Sequence, residues 1–409
     1  MRIITTRCMV FKMNVFDTGL NEFCRRFLVK NSGLPTPSPL EFLIKMRLAN
    51  ASIFENLLLF DTVSYKVCGE NIPLVILINN FGVKGIEALI EQGAINFVLW
   101  NQMVTYFVDD IAGVDPLQSG YHSSSVYSDP EESIRSGFNW MKAKLNSSEK
   151  KMLVRKIREI YTIPSNDLSK SAVSLARSSY ESGKLLAYNL SPETTSFRDL
   201  NIDERKKLCS CATEILQYSH LINNNMTSFD NFEFYKMFDD SVNKINMAAK
   251  IQSDFNSVCN LENIPDLKNF FPEVDNPFAK VVKLRNSSSS KKFRKWLSDC
   301  SNSSDGIDIT KNYLEAIENP KGFFETKTGR FTKNIAMSAF GTGLGLVVSN
   351  YATPTVATLA GGVGLAASKL LEPAASLGLD MLDEFVLAGV LKGWTPKLFF
   401  RDIEKIKLK

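Results

Sequence analysis

Apolar positions along the chain follow three successive patterns. Phe42 to Phe60 is apolar-rich and predicts a helix. Val63–Val67 has the composition of a short strand. Pro73-Leu-Val-Ile-Leu-Ile-Asn-Asn-Phe81 is an apolar run with proline suited to a first helical turn, and Gly82 ends it. Lys84 to Gln92 predicts a short helix closed by Gly93, and Ile95–Trp100 predicts another strand. Asp109, Asp110 and Asp115 then open a polar loop that runs to Ser128.

From Asp129 the period becomes helical. Asp129-Pro-Glu-Glu132 combines a capping residue, proline at the first position and acids in the first turn. Ile134, Phe138, Met141 and Leu145 predict one continuous helical face, which Leu153, Ile157 and Ile160 extend. Asn201 with Glu204 is a capping-box signal, and Leu208, Cys211, Ile215 and Leu216 line the inner face of the helix it starts. Residues 232–258 are again helical in period.

Residues 334–368 have a third character: 35 positions without a charge, six of them glycine and seven alanine. Pro354 divides the segment into two arms. Gly341 and Gly345 on one arm, and Gly361 and Gly364 on the other, leave bare backbone at a spacing that permits close helix approach. Glycine costs a water-exposed helix about 1 kcal/mol, so such a hairpin needs protein or lipid around it. Each arm spans ~26 Å at 1.5 Å per residue, short of a ~30 Å hydrocarbon core. Three readings follow: a tight hairpin in the membrane, a hairpin buried as core in a soluble protein, or a mobile glycine-rich loop. Residues 377–391 form an amphipathic segment. Trp394 and Phe399, beside Lys392 and Lys397, suit an interface with headgroups. The basic patch Lys291, Lys292, Arg294 and Lys295 suits anionic lipid better than nucleic acid, because the apolar hairpin follows it.

The expected fold is mainly α. It comprises a mixed α/β unit over 1–128, a helical domain over 129–270, a basic serine-rich linker over 271–333 and the Gly/Ala hairpin with its tail over 334–409. The 409 residues are 44% apolar with a net charge of +4, which excludes wholesale disorder and a polytopic membrane protein. Seven scattered cysteines form no disulfide framework, so a reducing cytoplasm is expected, with no secretory signal at the N-terminus.

Catalytic motifs fail one by one. Ser182-Gly-Lys-Leu185 lacks the earlier glycine and the final Ser or Thr of a phosphate loop. Leu346 stands where a dinucleotide loop beginning at Gly341 needs its third glycine. Cys209 and Cys211, with His220, are too few for zinc. Asp109, Asp110 and His122 are the residues a metal-dependent hydrolase or nuclease would use, with nothing to complete the ligand set. No catalytic residue, metal ligand or cofactor is therefore assigned.

Leu382-Asp-Glu-Phe-Val-Leu-Ala-Gly-Val-Leu-Lys-Gly-Trp-Thr-Pro-Lys-Leu-Phe399, behind a Gly/Ala hairpin, resembles the tail of uncharacterised bacterial proteins, some found in phage-defence settings. Leu57–Asp61 and Leu89–Ile95 are similar to segments of the same proteins. The resemblance implies a bacterial host and an abortive-infection role; it transfers no site residue. The expected function is a non-enzymatic effector at the inner membrane, with a soluble scaffold or an unfamiliar hydrolase as alternatives. Expected partners are anionic lipid, a protein or a second copy of the chain.

Overall fold

The computed structural model describes residues 12–29, 35–107, 109, 111–141, 144–192, 197–230, 232–234, 267–301 and 396–406. The chain is mainly helical with a small sheet in its N-terminal part. In order, the elements are β1 (Asn14–Asp17), α1 (Gly19–Phe27), α2 (Pro39–Leu59), β2 (Thr62–Val67), α3 (Ile72–Glu91), β3 (Ile95–Leu99), β4 (Gln102–Tyr106) and β5 (Leu117–Tyr121). There follow α4 (Ser125–Ser128), α5 (Pro130–Gly137), α6 (Ser147–Arg158), β6 (Tyr161–Thr162), α7 (Leu168–Glu181), α8 (Ile202–Asn223) and β7 (Met226–Ser228). The last helices are α9 (Leu267–Phe270), α10 (Pro277–Arg285), α11 (Ser288–Ser301) and α12 (Pro396–Glu404).

Two compact units divide the chain. The first holds residues 1–14, 51–62 and 250–409; the second holds 15–50 and 63–249. In the second unit the strands lie in the order β6-β3-β2-β1-β7, and β4 pairs with β5 as a separate hairpin. Strands β2, β3 and β6 run parallel, with Val63 opposite Ile95 and Phe97 opposite Tyr161. Parallel strands need both faces covered, and β2 and β3 read accordingly as near-continuous buried runs.

Several helix boundaries follow the sequence signals. The apolar run from Pro73 and the helix from Lys84 join in α3, broken at Gly82, whose φ of 67° is open to glycine. Asn71 caps α3 by accepting from Leu74 N at 2.9 Å. Asn201 and Glu204 form the expected capping box of α8. The continuous face expected from Ile134 to Leu145 is not formed. Helix α5 ends at Gly137, where an added Cβ would stand 2.6 Å from the Asn71 carbonyl oxygen, and Asn146 starts α6 with its own capping box. The loop expected from Asp109 to Ser128 contains β5, which pairs with β4 before it, from Gln102–Tyr121 to Tyr106–Leu117.

The first unit is organised around Asp61. Its carboxylate accepts from Met13 N at 3.1 Å and faces Arg294 Nε at 3.3 Å. Arg285 Nη1 donates to the Leu57 and Phe60 carbonyls, and its Nη2 donates to the Asp61 carbonyl. These are carbonyls at the C-terminal end of α2, so one guanidinium satisfies acceptors the helix leaves open and meets the negative end of its dipole. Residues 277–301 are thus packed helices rather than the flexible linker the serine-rich composition suggested; Ser287 Oγ accepts from Ser290 N at 3.2 Å at the start of α11. Phe399 and Phe400 of α12 are 0% and 1% exposed, and Phe399 stacks on Phe293 at 4.0 Å. The C-terminal helix is therefore core of the first unit. Replacing Phe399 with Ala should destabilise that unit by about 3–5 kcal/mol, measured by urea denaturation; a loss below 1 kcal/mol would place α12 outside the core.

Candidate functional site

Chemistry-bearing side chains gather where the chain leaves β1, β2 and β3. These ends coincide: Trp100 N donates to Val67 O at 2.7 Å, Cys68 N donates to Asn21 Oδ1 at 3.3 Å, and the rings of Phe16 and Trp100 lie 6.0 Å apart. In open α/β sheets this carboxyl edge is where ligands bind.

The floor of the site is apolar. Helix α8 places His220 against Phe16 at 5.3 Å and edge-on to Trp100 at 5.4 Å. His220 is 2% exposed. Asn224 Nδ2 lies 3.2 Å from Nδ1, and Nε2, on the other edge of the ring, has no hydrogen-bond partner. Burial, and then the neighbouring Lys66 charge, pushes the imidazole pKa down to about 4. The ring is neutral and acts as packing.

The rim is charged. Lys66, near the end of β2, holds Nζ 4.7 Å from the Trp100 ring centroid, a cation–π contact. Glu22 projects from α1. More than a third of its surface meets water, yet crowding by protein raises its pKa; Asp230 and Asp17 raise it further and Lys66 opposes them. Neither Lys66 nor Glu22 forms an ion pair within 4 Å among the described residues. Asp230 is fixed by its neighbours. It accepts from Thr18 Oγ1 at 2.6 Å, Ser228 Oγ at 2.5 Å and Gln217 Nε2. Asp17 accepts from Leu20 N at 3.0 Å at the start of α1. The arrangement offers a cation, a carboxyl group that holds its proton more readily than usual and two anchored acids, a set suited to binding a polar ligand and to proton exchange with it.

The residues singled out from sequence lie elsewhere. Asp115 pairs with Arg177 at 2.6 Å and faces Arg198 at 3.7 Å. His122 stacks on Tyr127 at 4.4 Å, Asp109 is exposed, and Asp110 lies outside the described residues. Cys211 is buried and Cys209 Sγ lies 3.6 Å from Val104 O. Gly183, with φ of 74°, belongs to the turn that ends α7. Among the described residues, no cluster of three His, Cys, Asp or Glu side chains could hold a metal ion.

Two expected membrane contacts need correction. Arg294 is not part of an exposed basic patch: it is 6% exposed, with its charge turned to Asp61. Lys291 and Lys295 are exposed and Lys292 half-buried. Phe399 lies within the aromatic stack with Phe293. Lys397 lies in α12. Gly341, Gly345, Gly361, Gly364, Lys392 and Trp394, and with them the hairpin, lie outside the described residues.

The neutral imidazole has a measurable consequence. Its pKa is about 4 in the fold against 6.5 ordinarily, so between these values the unfolded chain binds more protons. The contribution is complete above pH 6.5 and is lost as pH falls toward 4, to about 3 kcal/mol. Denaturation curves should show this decline in the wild type and a flatter one in His220→Phe; equal slopes would mean that the ring is charged or solvated. No family model, curated protein or solved structure matches the chain.

Proposed function

We propose that the chain is a bacterial effector in which the second unit recognises a small polar ligand at the carboxyl ends of its strands, while the charge-free segment 334–368 acts on the inner membrane in a defence setting. The observation that carries the recognition half is Lys66, held on the Trp100 face of the Phe16–His220–Trp100 cluster without an ion pair among the described residues and close enough to act on the charge of Glu22, whose pKa is raised by burial. Lys66 would meet an anionic or carbonyl group. Glu22, as acid or base, would meet a hydroxyl or amine, and Asp17 and Asp230 would set the field around them.

The membrane half rests on the composition of segment 334–368: 35 positions without a charge, six of them glycine. Insertion would draw on the glycine spacing itself, since the Phe399 anchor is occupied as core. Truncation at residue 333 would remove Phe399 and Phe400 and is unsuited to testing this; substitution within the segment is the cleaner route.

Two measurements test the halves separately. In thermal-shift assays against nucleotides, amino acids and sugar phosphates, at least one compound should raise the wild-type Tm by several degrees and leave Lys66→Met unmoved. Silence across the panel, or equal shifts in both proteins, contradicts recognition at this edge. The full chain should release dye from anionic vesicles, and Gly345→Leu with Gly361→Leu should abolish release. Intact vesicles with the wild type, or undiminished release with the variant, contradict membrane action.

A further inference from the structure

The first half of α2 is apolar on two opposite faces. Phe42 turns toward α1, with ring centroids 6.0 Å from Phe23 and 6.3 Å from Phe27, and Asn50 Oδ1 accepts from Asn80 Nδ2 at 2.8 Å. The other face carries Leu40, Leu43, Ile44 and Leu48, exposed by 68%, 63%, 51% and 51%. Their spacing of three, four and eight residues from Leu40 or its neighbours makes one stripe on the helix. A helix apolar on all sides is one whose faces are both covered, and a contiguous exposed stripe marks an interaction surface.

The stripe is complementary to itself. About Ile44 the ends of the stripe mirror one another, Leu40 against Leu48 and Glu41 against the opposite charge of Arg47, while Leu43 mirrors the aliphatic stem of Lys45. Two copies of α2 crossing antiparallel about a two-fold axis at Ile44 bring each residue level with its mirror. Leu40 then meets Leu48 of the partner subunit, and Glu41 lies level with Arg47 of the partner subunit and within a turn of Lys45 of the partner subunit. A parallel crossing would instead set Lys45 and Arg47 against their own copies, a repulsive arrangement.

We infer that this face of α2 docks a second copy of the chain in an isologous, antiparallel contact centred on Ile44. A single helical face covers less than the ~800 Å² per partner of a standard interface. The dimer is therefore weak, with a Kd on the order of micromolar. This inference is independent of the ligand site and of membrane action.

Sedimentation of the full chain across a hundredfold range of concentration should show a monomer–dimer equilibrium, and Ile44→Glu should raise Kd at least tenfold. Ile44→Cys should form a disulfide-linked dimer on mild oxidation beyond any wild-type background, whereas Leu186→Cys, exposed elsewhere, should not. A monomer at every concentration with no cross-link from Ile44→Cys overturns the proposal, as does a dimer indifferent to Ile44→Glu. Vesicle binding that Ile44→Glu abolishes, without any dimer, would assign the stripe to lipid and overturn it too.

Discussion

A buried imidazole joins the end of α8 to Phe16 of β1 and to Trp100 after β3 in the second unit. His220 fits between Phe16 and Trp100 only without its proton, because a charge there would be desolvated with no carboxylate to meet it. That ring seats α8 on the sheet, and Trp100, held on one side by His220, presents its face to Lys66 on another. The lysine is therefore stationed at the strand ends by an aromatic surface rather than by an acid, and its charge remains available. Glu22 and Asp230 approach from α1 and from the turn after β7, so the site is assembled from elements far apart in sequence.

The first unit rests on a comparable economy. Arg285 and Arg294 are buried cations: Arg285 donates to carbonyls at the end of α2, and Arg294 meets Asp61 through Nε and the Arg285 carbonyl, at the end of α10, through Nη2. Removing either would strand acceptors or a carboxylate inside protein. Helix α12 closes the same unit through Phe399 and Phe400.

Local signals made the long elements legible. Asn201 with Glu204, the proline-led run ended by Gly82, and the inner row Leu208, Cys211, Ile215 and Leu216 all act within a few turns of their own helix, so the sequence exposes them. Short strands were not legible: β1, β6 and β7 have four, two and three residues and exist because distant strands pair with them. The close approach of Gly137 to the Asn71 carbonyl was hidden for a similar reason, since it joins residues far apart in sequence. The site was invisible on the same grounds: Asp17, Lys66, His220 and Asp230 share no motif, and only the sheet order unites them. Asp17 and Thr18 before Gly19, at a strand-to-helix junction, were the one usable hint. Arg294 misled because a buried arginine and its exposed lysine neighbours have the same charge in sequence.

The central claim is that Glu22, Asp230 and Lys66 share one electrostatic environment at the strand ends. Carboxyl carbon NMR of the full chain, with Glu22 assigned by Glu22→Gln, tests it most directly. Glu22 should titrate above the usual glutamate range, lower in Asp230→Asn, where a like charge is gone, and higher still in Lys66→Met, where the opposing cation is gone. A Glu22 that titrates as an ordinary surface glutamate and responds to neither substitution would mean that these residues do not meet.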